Sequence, residues 1–202
     1  MKSGLIIFLA FCLINQSSYS QDSTKNSLKE SKFALQFQIG TNFTLKDFQG
    51  STLSFKYQIF DESAVRVGFS ISSSVETYRE ENHIEEPKQN YFDITLNAQF
   101  IKYLKTFEDI SLYTGGGPRF FSEYYTSLPS GYHKYWSLGL DGILGVEWFF
   151  KKNMSLSAEY GISIVYWVTD INDPSSTSKF YNTKRINIGD NNMLKFGISI
   201  YL

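Results

Sequence analysis

From residue 33 to the last residue, large apolar side chains recur at every second place, with small or polar residues between them. A period of two belongs to extended strands, whose successive side chains point to opposite faces of a sheet. Phe33, Leu35, Phe37 and Ile39 open the series, and Leu53, Phe55, Tyr57 and Ile59 continue it. The third run carries Val65, Val67, Phe69, Ile71 and Val75, and the fourth Phe92, Ile94, Leu96, Ala98 and Phe100. "ISLYTGGGPRFFSEY" (110–124) is the fifth. The sixth and seventh extend from Trp136 through Leu144, Val146 and Trp148 to Leu156, Tyr160, Ile162, Ile164 and Tyr166. The eighth holds Ile186, Ile188, Leu194, Phe196, Ile198, Ile200 and Leu202. No run after residue 31 has a helical period, so the expectation is all-β with eight strands.

Link lengths add a second constraint. "DES" (61–63), "KTFED" (105–109) and "FKKN" (150–153) are short, whereas 79–90, 125–134 and 169–184 read as longer polar loops. Short and long links alternate from the second strand onward, the order found in membrane barrels with short inner turns and longer outer loops.

Alternation alone does not say which face meets water; volume does. An eight-stranded barrel is only wide enough for its interior to be filled by side chains. The apolar stripe is too bulky for that space, and the opposite stripe is mostly small: Gly40, Ser54, Gly68, Ser70, Ser72, Gly139, Gly145, Ser155, Ser157, Gly161, Ser163, Gly197 and Ser199. The charged residues Lys56, Arg66, Asp93, Glu147, Glu159 and Lys195 fall in the small phase too. The apolar stripe is therefore expected to face lipid around a polar lumen. A closed ring also leaves no unpaired backbone edge in the bilayer. Trp136, Trp148 and Tyr166, near strand ends, are the candidate lipid-interface aromatics.

The N-terminus reads as an export signal (1–20): Lys2, an apolar run over 4–14, and "SSYS" before a cut after Ser20. Residues 21–31 are a polar lead-in and 32–202 the barrel. Cutting there removes Cys12, so disulfides do not hold the exported chain, and it leaves 18 basic against 20 acidic residues. Near-neutral charge gives no electrostatic case for nucleic acid.

The strand series, the turns and the hairpin "GVEWFFKKNMSLSAEYG" resemble the small bacterial outer-membrane β-barrel family, of the OmpA membrane-domain and porin-like type. "LYTGGGPRFF" (112–121) is similar to a glycine-punctuated fifth strand of that family. The resemblance implies an eight-stranded antiparallel up-and-down transmembrane β-barrel in the bacterial outer membrane, inserted as a monomer. It also implies a C-terminal aromatic; here Tyr201 comes one place before the end.

The chemistry-bearing constellation is a lumen charge network. Lys56 and Arg66 lie low on strands two and three, facing Glu147 and Glu159, with Lys195 on the eighth strand. Asp93, Arg119 and Asp141 are expected together higher up, with Gly115–Pro118 marking a bulge that alters the phase of Arg119. The network reads as a plug or, alternatively, as a narrow path for ions or small solutes. His83 and His133 lie in or beside expected outer loops, and no close His–Ser–acid spacing supports an outer-leaflet lipid-modifying enzyme. No catalytic residue, metal ligand or cofactor is assigned. Outer-membrane lipid is the expected partner, with any external ligand or host surface meeting the three long loops.

Overall fold

A computed structural model describes residues 33–41, 43, 50–77, 88–127, 131–172, 180–189 and 194–202. The expected signal, the lead-in, His83 and most of the 79–90 loop lie outside them. The described residues form nine strands: β1 (Phe33–Gly40), β2 (Ser51–Phe60), β3 (Ser63–Thr77), β4 (Lys88–Phe107), β5 (Ile110–Ser127), β6 (Gly131–Lys151), β7 (Met154–Asn172), β8 (Phe180–Ile188) and β9 (Leu194–Tyr201).

Each strand from β1 to β7 pairs antiparallel with the next, and β9 closes the ring by pairing with both β7 and β1. β8 and β9 are two pieces of one stave, so the barrel has eight staves. Ile188 lies opposite Ile164 and Leu194 opposite Tyr160, so a sequence separation of six on this stave matches one of four on β7. Gly189 accommodates the break with a φ of 96°, a backbone conformation that costs a residue without Cβ least.

The ring is inside out. Phe55, Phe100, Leu140, Trp148 and Tyr160 are exposed, while Gln36, Ser54, Lys56, Arg66, Glu147 and Glu159 are buried. Such a body is stable only where its outer surface meets a solvent as apolar as itself, and the fold is that of a transmembrane β-barrel. Trp148 lies beside the short β6–β7 turn; Trp136 and Tyr166 pack together at 6.2 Å toward the opposite end.

Two sequence expectations need correction. The register of β5 is continuous through Gly115–Pro118 against β6, and the β4 partners on either side keep the same register, so no bulge occurs there and Arg119 keeps the lumen phase of Tyr113. The glycines answer a different need. A Cβ on Gly117 would stand 2.0 Å from the Ala98 carbonyl oxygen, and one on Gly116 2.6 Å from that of Asp141. The neighbouring backbones simply approach too closely for a side chain. The bulges fall instead beside the short turns, between Gln58 and Phe60, Tyr103 and Lys105, and Trp148 and Lys151.

The long polar links are the second correction. Much of 125–134 and 169–184 is paired strand, since β5 runs to Ser127, β6 starts at Gly131, β7 runs to Asn172 and β8 starts at Phe180. Hydrogen-bonded pairing does not need apolar side chains once both faces are wet, so polarity there marked the end of the lipid band rather than the end of the strands.

Candidate functional site

The lumen-facing side chains of the lower barrel converge on two carboxylates. Glu147 stands on β6, four staves from Lys56 on β2, so in a ring of eight the two are diametrically opposed. Their side chains meet across the lumen, with Lys56 Nζ at 2.9 Å from Glu147 Oε1 and both groups at most 3% exposed. The same carboxylate accepts hydrogen bonds from the hydroxyls of Tyr103 (2.8 Å), Tyr201 (2.7 Å) and Ser155 (2.5 Å).

The second centre repeats this geometry one stave further round. Arg66 on β3 reaches Glu159 on β7, again four staves away, and its two terminal nitrogens donate to the two carboxylate oxygens. Bidentate pairing of this kind suits the planar guanidinium. Tyr113 donates to Glu159 at 2.7 Å, and the Gln36 and Gln99 side-chain carbonyls accept from Arg66 at 2.9 and 3.0 Å. An isolated buried charge is costly, but here each is paired and its remaining bonding capacity is largely filled.

Together the two centres draw on every stave: Gln36 from β1, Lys56 from β2, Arg66 from β3, Gln99 and Tyr103 from β4, Tyr113 from β5, Glu147 from β6, Ser155 and Glu159 from β7, and Tyr201 from β9. Gly145 makes room for this convergence, because a Cβ there would stand 2.5 Å from the Tyr113 ring. Ala34, Ala64, Ile101 and Phe149 add buried apolar contacts to the same inner cluster, with the Phe149 and Tyr201 rings 5.4 Å apart.

The three tyrosines and two glutamines were missed by a search for charges, although each lies in the lumen phase of its strand. Their polar tips on large bodies were the available signal. Tyr201 turns inward to Glu147, and Leu202 takes the exposed position beyond it.

Arg119 and Asp141 form an ion pair at 3.9 Å. Asp93 does not join them: register sets it opposite Glu123 and sets Arg119 opposite Asn97. Asp93 instead takes hydrogen bonds from Tyr91 and Ser72, and Tyr91 also bonds Glu123. Lys195 lies opposite Glu159 in the β7–β9 register, yet the Glu159 carboxylate is turned to Arg66 and Tyr113. Toward the end away from the short turns the inner face becomes aromatic. Phe121 and Trp167 pack at 5.5 Å, the Arg185 guanidinium lies 5.6 Å from the Trp167 ring, and His133 packs against Tyr125 and shares a hydrogen bond with the Tyr135 hydroxyl. Among the described residues no group of three or more His, Cys, Asp or Glu is placed to hold a metal ion.

No protein-family model matches the chain, and no curated protein matches it. Among solved structures it is similar to a major outer membrane protein from Thermus thermophilus, at 14% identity over 86% of this chain and 100% of that one, with a TM-score of 0.47. It is similar to Ail, the attachment invasion locus protein of Yersinia pestis, at 16% identity over 83% and 93% of the two chains and a TM-score of 0.34. Acinetobacter baumannii CarO2 matches at 8% identity over 84% and 98%, with a TM-score of 0.39.

Proposed function

We propose that the chain is an exported, monomeric outer-membrane barrel whose lumen is plugged, and that its role is structural or surface-interacting rather than transport or catalysis. The observation that carries this reading is the pair of diametric ion pairs, Lys56–Glu147 and Arg66–Glu159, tied to side chains from all eight staves. Side chains bridging opposite walls occupy the space a solute path needs, and their mutual satisfaction makes displacement costly. The barrel then serves as a rigid anchor, and contact with an external ligand or host surface falls to the long-link segments 79–90, 125–134 and 169–184.

Planar-bilayer recording tests the plug. The wild-type protein is expected to give no regular conductance steps, and the double change Lys56→Ala with Glu147→Ala to give them. Steady wild-type conductance that changes when Arg66 is substituted would establish a narrow channel instead. Recovery of the mature protein in the soluble fraction without detergent would overturn the membrane reading altogether.

A further inference from the structure

Toward the end away from the short turns, strand register lays the inner-face side chains out in rows. One row holds Phe121, Ser137, Trp167 and Arg185, on β5, β6, β7 and β8. The next row outward holds Ser72, Asp93, Glu123 and Tyr135, on β3 to β6. The row beyond it holds Tyr91, Tyr125 and His133. Neighbours within a row are about 4.8 Å apart and the rows are about 7 Å apart, on the scale of one pyranose ring. A line of acceptors therefore lies between two lines of rings.

Each line offers a different contact. Ser137 stands between Phe121 and Trp167 in register, and being small it lets their rings meet at 5.5 Å. It is 1% exposed, and its hydroxyl has no hydrogen-bond partner among the described residues. Phe121 and Trp167 remain partly exposed, and so do Glu123, Tyr125, His133 and Tyr135. Asp93 and Glu123 draw on two hydroxyls: Ser72 bonds Asp93, and the single Tyr91 O–H is shared between the two carboxylates. A carboxylate offers about four acceptor directions, so most of theirs stay open. Among the described residues neither makes an ion pair. On the other flank the Arg185 guanidinium, a donor only, lies 5.6 Å from the Trp167 ring.

We propose that this mouth of the barrel, above the plug, binds a neutral saccharide, with Asp93 and Glu123 as acceptors, Arg185 as donor and the Phe121 and Trp167 rings as floor. Sugar hydroxyls donate to the carboxylates and accept from the guanidinium, while the C–H faces of the ring pack on the aromatics. Other ligand chemistries use only part of the site. An organic cation suits the rings and the carboxylates but is opposed by Arg185. An anion is opposed by both carboxylates, and an apolar ligand strips water from them without replacing its hydrogen bonds. Barrel mouths lined by aromatic side chains with a few placed polar groups are favoured ligand sites. The proposal rests on the surface-interacting reading of the barrel, and it moves the ligand from the long links to the mouth.

Beads carrying neutral oligosaccharides that end in glucose, galactose, mannose or N-acetylglucosamine are the probes. The full chain is used, folded in a detergent without a sugar headgroup. The wild type is expected to be retained on at least one of these sugars and released by the same oligosaccharide in solution. Glu123→Gln and Trp167→Ala should each weaken retention by about tenfold or more. Glu123→Gln keeps the shape of the side chain, so the test stays decisive if Trp167→Ala does not fold. No retention on any of the sugars would overturn the proposal, as would retention that survives Glu123→Gln. Retention on trimethylammonium beads and not on the sugars would overturn it in favour of a cation. Adhesion of the wild type to cells that Glu123→Gln leaves intact would sink the sugar site and leave the surface-interacting reading standing. Binding to neither cells nor sugars would sink both.

Discussion

The two ends of this barrel obey different rules. At the short-turn end the wall is a complete ring, closed by β9 between β1 and β7, and the side chains inside it bond one another across the tube. At the other end the wall is uneven. β1 has 8 residues and β2 has 10, whereas β4, β6 and β7 have 20, 21 and 19. A tilted strand needs about 9–11 residues to cross the apolar core, so the tall staves continue well past it. There the inner face carries Asp93 and Glu123 side by side, aromatic rings and an Arg185 lying on Trp167. The two carboxylates are held there by hydroxyl donors rather than by cations: Asp93, only 7% exposed, takes hydrogen bonds from Tyr91 and Ser72, and Tyr91 also bonds Glu123.

The largest expected effect comes from removing the carboxylate with most partners. Glu147→Ala strands Lys56 and takes the acceptor from Tyr103, Tyr201 and Ser155, and should cost about 3–5 kcal/mol. Denaturant unfolding in lipid measures it. The double variant Lys56→Met with Glu147→Leu should recover part of that loss, and no recovery would mean that the ion pair is not what couples the two positions.

Gly145→Val tests the same region by volume. The new Cβ would meet the Tyr113 ring at 2.5 Å, and overpacking of this kind costs about 1–3 kcal/mol. Gly142→Ala, whose nearest neighbour would be 3.6 Å away, is the control and should cost less in the same unfolding assay.

Higher up, the effects should shrink. Asp141→Asn removes one side of a 3.9 Å ion pair whose members are 18% and 15% exposed, and about 1 kcal/mol is expected. A loss equal to that of Glu147→Ala would erase the contrast between the two ends. The smallest effect belongs to Glu62→Gln at the β2–β3 turn. Its pair with Lys102 is 2.8 Å long but nearly half exposed on both sides, so the change should lie within about 0.5 kcal/mol and vanish in high salt.

Much of the molecule was legible from one strand at a time. Alternation is a local property, so the phase of Lys56, Arg66, Glu147 and Glu159 could be read without knowing what lay opposite. The bulk of one stripe against the smallness of the other then decided which faced the lumen, because an eight-stave interior has a fixed, narrow volume. Strand ends were less legible. The polar segments after Tyr124 and before Tyr135 lose the apolar signal, yet the β5–β6 ladder continues from Glu123 opposite Tyr135 to Ser127 opposite Gly131.

The sequence by itself determined the staves, their faces and the kind of side chain each sends inward. Only the tertiary structure decided who meets whom: Lys56 with Glu147 rather than with its strand neighbours, Asp93 beside Glu123 rather than Arg119, and Glu159 with Arg66 across the lumen rather than with Lys195 opposite it in register. The physical reason is that contacts across a tube depend on the accumulated tilt and stagger of every stave. The bulges beside the short turns and the two extra residues between β8 and β9 each shift that stagger. The break between β8 and β9 leaves no mark in the period-two pattern, because Ile188 and Leu194 keep the same parity. The bulges do leave one: Ile59 and Phe60 are exposed in succession, and Phe107 is exposed at the parity of the buried Tyr103.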